Sequence, residues 1–315
     1  MHPFRRSFFR FANYVGEPRV SATGSSAPAG STDICYNTGV TDDTRIYQVT
    51  ALVLRGRDYG EGHRLISLFT REEGKILAVA RGIRKPRARL AAALQHFVLG
   101  VVDLARGRRF DVITQMRVQN PFYGLRQHVE AFAYASYFAE LFDESLEERQ
   151  SCPALFDLLI EALERLVHDA APDLVARYVE IHLIAMLGYL PHLTACAQCQ
   201  APLAKHDAEG HAHWPTWLGF SSSQGGALCP QCLPAVPGAR RIASGTIQVA
   251  QVLLTHGASA LATLRLSDRL RREIETTFRE YLEYRLERRL RSVRFLHEWG
   301  DTPGDAAHDA CTSEP

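Results

Sequence analysis

Tyr47-Gln-Val-Thr-Ala-Leu-Val-Leu54 sets Tyr47, Val49, Ala51 and Val53 in alternation with Gln48, Thr50, Leu52 and Leu54. A period of two places the two sets on opposite faces of an extended chain, so the segment reads as a strand. Gly56, Gly60 and Gly62 interrupt the next stretch, Leu65 to Thr70 reads as a second strand turned at Glu73-Gly74, and Lys75 to Ala80 as a third. Phe97 to Leu104 and Phe110 to Val118 make another pair across Ala105-Arg-Gly-Arg108. Five short strands in roughly 75 residues form a small barrel or sandwich; a five-stranded Greek-key barrel of the OB type fits, and an SH3-like barrel fits the pattern almost as well.

Charge singles out the same segment. Arg45 to Arg126 carries 14 Arg and two Lys against six acidic residues, a formal +10, while the whole chain is +1 and the remainder −9. A basic domain joined to an acidic remainder is the electrostatic footprint of a polyanion binder. Only three of the 36 basic residues are lysine, and no function is read from that skew. With 315 residues, the chain is long enough for about two domains. Its 46% hydrophobic and 23% charged residues exclude a fibrous or largely disordered protein. The richest apolar stretch, Ile181 to Leu190, contains His182 and ends at Pro191, well short of the roughly 18 residues that span a bilayer. No membrane association is expected.

Beyond Pro121 the period becomes helical. Phe132, Ala135, Phe138, Phe142 and Leu146 share one face, and Leu155, Leu158, Leu159, Ala162, Leu163 and Leu166 mark a second helix, with Ser151 as N-cap and Pro153 in its first turn. A third runs from Pro172 to Gly188. After an irregular insert, helices resume over Ser244 to His256 and, as one long amphipathic element, over Ser267 to Trp299. The first 44 residues open with Arg5, Arg6 and Arg10 among phenylalanines and turn Ser-, Ala-, Gly- and Pro-rich, which reads as a disordered extension, with an organelle-import peptide as the rival.

Four of the seven cysteines form Cys196-Ala-Gln-Cys199 and Cys229-Pro-Gln-Cys232, two C-x-x-C knuckles 29 residues apart. Each such turn aims two sulfurs at one ion, and four thiolates complete a tetrahedron, so the expectation is one structural Zn²⁺ per chain. A catalytic zinc needs an open position that four thiolates do not leave, and two dithiol pairs, neither opening a helix after a strand, disfavour redox chemistry. His192, His206, His211 and His213 surround the knuckles and are read as solvated loop residues. Free Cys35, Cys152 and Cys311 suit a reducing cytoplasm.

Arg81-Gly-Ile-Arg84-Lys85-Pro-Arg87-Ala-Arg89 packs five cations into nine residues after the third strand, which suits phosphate contacts. With Arg55, Arg57, Arg64, Arg108 and Arg109 at other turns they make up the expected DNA-binding set, and Tyr47, Tyr59, Phe69, Phe97, Phe110, Phe122 and Tyr123 supply aromatics for bases or core. No P-loop, G-x-S-x-G or dinucleotide fingerprint occurs. Asp143-Glu144 and Glu147-Glu148 are read as a solvated helix end, and Asp103 and Asp111 as ion-paired among arginines. The chain is therefore read as a binding protein rather than an enzyme, the alternative being a zinc-containing nucleic-acid-processing enzyme that uses the barrel as its binding module.

Over about Tyr47 to Trp299 the sequence resembles the bacterial recombination mediator family RecO. The resemblance rests on Tyr47 to Leu54 followed by Tyr59-Gly-Glu-Gly-His-Arg64, the Glu73-Gly-Lys75 turn, and Ala80 to Leu90. It continues with Gly188-Tyr-Leu-Pro-His-Leu-Thr-Ala-Cys196 before the first knuckle, and Phe220-Ser-Ser with Gly225-Gly226 before the second. It implies an α+β multidomain chain: an N-terminal OB-fold β-barrel, then an all-α helical domain with an inserted four-cysteine zinc module. The boundaries read are 1–44 for the extension, 45–125 for the barrel, 126–191 and 238–300 for the helical domain, 192–237 for the zinc module and 301–315 for a disordered acidic tail. Binding of single- and double-stranded DNA, strand annealing, help in loading recombinase, a partnership with RecR and with single-stranded DNA-binding protein, and a nucleoid-associated cytoplasmic location are likewise what it implies. An acidic partner tail ending in Phe needs an apolar pocket beside cations, and Arg285, Arg288 and Arg291 on the last helix are the expected place. The 44-residue extension departs from the family pattern.

Overall fold

The computed structural model describes residues 46–83, 89–168, 171–292 and 296. Five strands, β1 (Ile46–Tyr59), β2 (His63–Thr70), β3 (Gly74–Ala80), β4 (Leu99–Ala105) and β5 (Asp111–Asn120), close into a barrel in the order β1-β2-β3-β5-β4. The 14-residue β1 pairs with β4 through its first half and with β2 through its second, and a register shift between Val53 and Arg55 bends it around the barrel. A short parallel pairing, Ala78 with Asp111 and Val79 with Val112, joins β3 to β5. Val49, Ala51 and Val53 point into the core with Ile66, Leu68, Ile76, Ala78, Val102, Leu104 and Ile113. Helix α1 (Arg89–Ala93) leads to Leu94, which also enters that core.

Among the described residues, one compact unit comprises the barrel, helices α2 (Val129–Ser145) and α3 (Pro153–His168), the first half of α4 (Pro172–Met186), and the segment from Arg279 onward. Phe69 of β2 packs against Phe142 of α2 and Phe156 of α3, with ring centroids 6.0 and 5.5 Å apart. The outer face of the barrel is thus apolar as well, and Leu52 and Leu54 are as buried as their inward neighbours. Ser151 does not cap α3 with its side chain: its hydroxyl donates to the Arg71 carbonyl at 3.3 Å, and the Cys152 carbonyl receives the first helical N–H groups.

The second unit runs from Glu180 to Phe278. Its three-stranded sheet has the order β10-β8-β9, from β8 (Trp217–Ser221), β9 (Gly226–Leu228) and β10 (Arg240–Ala243), beside a small hairpin of β6 (Lys205–His206) and β7 (Ala212–His213). Residues 240–243, placed in the helical domain by the boundary read at 238, form an edge strand of this sheet before α5 (Ser244–His256) begins. Glu273 of α6 (Asp268–Leu286) accepts the Ala243 N–H at 2.7 Å, bringing a carboxylate to the N-terminus of α5.

The long helix expected over Ser267 to Trp299 is a correction: α6 stops at Leu286. Glu287 turns left-handed (φ 54°), and the Arg288 N–H reaches back to the Glu283 carbonyl at 3.3 Å, the hydrogen bond of a Schellman cap. The three-or-four spacing of apolar residues continues past this point, but the chain leaves the axis so that Leu290 can be buried.

Candidate nucleic-acid interface and metal centre

The tip of the β1–β2 hairpin and the β4–β5 loop meet through Tyr59 and Phe110, whose rings sit edge to face at 5.7 Å and 87°. Arg109 lies over the Phe110 ring at 5.1 Å. Arg57, Arg81, Arg108 and Arg109 are all exposed, and none forms an ion pair with a described residue. The structure therefore keeps four cations of the expected DNA-binding set in solvent, at the hairpin, the end of β3 and the β4–β5 loop. Two others are committed elsewhere. Arg55 pairs with Asp143 at 2.5 Å, and Arg64 is half-buried and donates to the Gly56 carbonyl at 3.1 Å. Arg84, Lys85 and Arg87 lie outside the described residues, as does the side chain of Arg89.

The acidic residues have structural work. Asp143, expected on a solvated helix end, is buried: it accepts the Ser67 hydroxyl at 2.6 Å, while its backbone carbonyl receives Lys75 Nζ at 2.5 Å. Glu144 pairs with Arg288 at 2.5 Å. Asp111 is held by the Tyr47 hydroxyl and by Arg149 at 2.5 Å; Arg149 and Arg106 both reach Glu73, and Arg106 lies over the Tyr47 ring. Burial raises the Asp111 carboxyl, but the Tyr47 and Arg149 hydrogen bonds and the Gly107 N–H outweigh it and hold the group below the usual carboxylate range. Burial, then the same Asp111 contact, pushes the Tyr47 phenol far up. Asp103, expected to pair with arginine, instead accepts Gln48 Nε2 at 2.7 Å. Nothing in local spacing pointed to Asp143 or Arg149, since Ser67 and Asp143 are 76 residues apart.

The four cysteine sulfurs lie within 4.8 Å of one another, with Cys196 and Cys229 buried, Cys232 half-buried and Cys199 exposed. Each knuckle is a tight turn: the Gln200 N–H closes on the Cys196 carbonyl at 2.9 Å, with Gln200 left-handed, and Cys232 and Leu233 close on the Cys229 carbonyl at 3.1 and 3.2 Å. The Ala197 N–H donates to Ala227 at 2.8 Å, tying the first knuckle to β9. Burial raises the Cys196 thiol, but N–H groups of Cys199, Cys229 and Gln198 aimed at its sulfur overcome this and set it at about 6, so anionic sulfur is favoured there. Sharing hydrogen bonds with Cys229 and Cys199, the Cys232 thiol is pushed up to about 12. Four converging sulfurs with backbone donors fit a metal ion of tetrahedral preference. None of the neighbouring histidines joins the cluster; His211 and His213 flank Asp207 at 3.3 and 2.9 Å in the exposed hairpin.

Arg288 and Arg291 follow α6 rather than lying along it. Together with Arg289 they line a cavity of about 550 Å³ whose apolar wall includes Leu54, Phe97 and Ala139. Glu140 accepts the backbone N–H groups of Arg291 and Ser292 at 2.9 and 2.7 Å. Arg285 does not line this cavity; its guanidinium lies over the Tyr281 and Tyr284 rings at 5.0 and 5.7 Å. No helix of the described residues is long and apolar enough to cross a membrane.

Family models match the chain in two blocks, Recombination protein O N terminal over residues 45–122 and Recombination protein O C terminal over residues 126–294. Among similar proteins, the DNA repair protein RecO of Pelotomaculum thermopropionicum is 37% identical over 266 residues, covering 84% of this chain and 99% of that protein. The DNA repair protein RecO of Symbiobacterium thermophilum is 36% identical over 252 residues, 80% and 96% of the two chains. That of Moorella thermoacetica is 34% identical over 263 residues, 82% and 95%.

Proposed function

Because this chain belongs to the RecO family of DNA repair proteins, we propose that it is a non-enzymatic recombination mediator. In this reading its barrel is an OB fold that binds single- and double-stranded DNA in the cytoplasm, at the nucleoid. The observation that carries this is the set of exposed arginines at the hairpin and loop end of the barrel, Arg57, Arg81, Arg108 and Arg109, none of which forms an ion pair with a described residue. Cations left in solvent attract phosphate with no ion pair to break first. Arg84, Lys85, Arg87 and Arg89 extend the same basic segment in sequence. A non-enzymatic role is supported by the fate of the carboxylates, since Asp111, Asp143 and Glu144 are spent on hydrogen bonds and ion pairs.

In the same reading the four cysteines hold one structural Zn²⁺ that supplies no chemistry beyond cross-linking the module, because no ligand position is left for water. The cavity beside Arg288, Arg289 and Arg291 takes the acidic tail of single-stranded DNA-binding protein, with Leu54, Phe97 and Ala139 receiving an apolar side chain. RecR is the second protein partner implied by the family.

The test is annealing of complementary oligonucleotides, each coated with bacterial single-stranded DNA-binding protein, without nucleotide or added metal. The chain is expected to speed annealing severalfold and to leave the strands chemically intact. No acceleration, or strand cleavage, overturns the mediator reading. Arg288→Glu with Arg291→Glu is expected to abolish binding of the tail peptide in fluorescence anisotropy; unchanged affinity in the folded variant moves the tail elsewhere.

A further inference from the structure

Two of the barrel's five aromatics are fully inside: Phe69 and Phe97 are no more than 2% exposed. Tyr59 is 39% exposed and Phe110 half-buried, yet these two rings are in contact. With ring planes at 87°, each keeps at least one face that the other does not cover. The backbone around them is open, for a Cβ added at Gly60 or Gly62 would meet nothing within 4 Å. Cations flank the rings in sequence on both elements: Arg57 two residues before Tyr59, and Arg108 and Arg109 immediately before Phe110.

Resting on the DNA-binding reading, we propose that the Tyr59–Phe110 pair is a stacking platform for unpaired nucleobases, with Arg109 closing over it, and that it sets a preference for single over double strands. An aromatic face stacks on any base and ignores sequence. In a duplex both faces of every interior base are already covered by neighbours, so the rings gain nothing there. Phosphates are present in both forms, so the arginines serve both. Rings and cations therefore make separable contributions, and only the rings distinguish the two kinds of DNA.

The full-length chain is titrated with a labelled single-stranded oligonucleotide and with the matching duplex, in wild type and in Tyr59→Leu/Phe110→Leu, which keeps apolar bulk and removes the π faces. Single-strand affinity is expected to fall about 5- to 100-fold, duplex affinity to change less than twofold, and the slope against salt to stay the same. Tyr59→Trp is expected to retain or raise single-strand affinity. A 2-aminopurine in the oligonucleotide should lose fluorescence on binding wild type and keep it with the double variant. Equal losses for both DNAs, or no loss for either, overturn the platform while leaving DNA binding standing; a wild-type chain that binds neither DNA overturns the underlying reading as well. Should the double variant fail to fold, Tyr59→Leu alone, at an exposed position, carries the same comparison.

Discussion

Asp143→Ala is the perturbation whose cost the structure specifies most fully. The carboxylate is 2% exposed and accepts the hydroxyl of Ser67, itself 2% exposed, at 2.6 Å. Alanine leaves that hydroxyl buried without its partner, which costs about 1–3 kcal/mol. The ion pair to Arg55 adds less than about 1 kcal/mol, because that side chain is 64% exposed and recovers water when released. The sum is about 1–4 kcal/mol. Asp143→Asn keeps an acceptor for Ser67 and should cost about 1 kcal/mol, while Ser67→Ala/Asp143→Ala removes both partners and should cost less than the two single changes added together. Tryptophan fluorescence is a poor probe, since two of the three tryptophans, Trp214 and Trp217, belong to the other unit and Trp299 lies outside the described residues. Hydrogen exchange of the β2 and α2 peptides across a urea series reads the right one. A cost below about 0.5 kcal/mol for Asp143→Ala, or equal costs for Ala and Asn, would refute the reasoning.

Elemental analysis of the purified chain should give about one zinc per molecule, and Cys196→Ser should lose the metal and lower protection from hydrogen exchange over Glu180 to Phe278; four freely titrating thiols in the metal-free native protein would contradict this. Stability of the barrel unit should fall on acidification: Asp111 is held below its ordinary value, so it stabilises the fold above about pH 4 and that contribution is lost as pH falls through the folded value. Arg149→Gln should make the acid transition shallower, as read by circular dichroism against pH, and an unchanged transition would show that Asp111 is not the responsible group.

Local pattern carried the barrel a long way. The period of two in Tyr47 to Leu54 places Val49, Ala51 and Val53 inward as observed, and the Gly60, Gly62 and Glu73-Gly74 breaks fall at the turns, whereas Gly56 does not interrupt β1, which pairs through it with Ile66 and runs on to Tyr59. The C-x-x-C spacing puts two sulfurs together in each knuckle, a property of four consecutive residues, and the fold brings the two knuckles to one point. Long-range pairing is the part that local pattern lacks. Asp143 and Glu144 look like any charged helix end until the partners across the fold, Ser67, Arg55 and Arg288, are known. The end of α6 was hidden for a related reason: no Gly or Pro marks it, and Glu287 takes the left-handed conformation that a glycine would ordinarily announce. Tyr59 and Phe110 were legible as aromatics but not as a pair, because their contact spans three strands of the barrel.

The most direct test of DNA binding at this end of the barrel is the salt dependence of single-strand affinity in Arg57→Ala/Arg81→Ala/Arg108→Ala/Arg109→Ala beside wild type. Each phosphate contact removed should flatten the slope of log K against log salt by about 0.7 to 0.9, so the quadruple variant is expected to lose about 3 from its magnitude. An unchanged slope with the fold intact would contradict the assignment and put the DNA on another face.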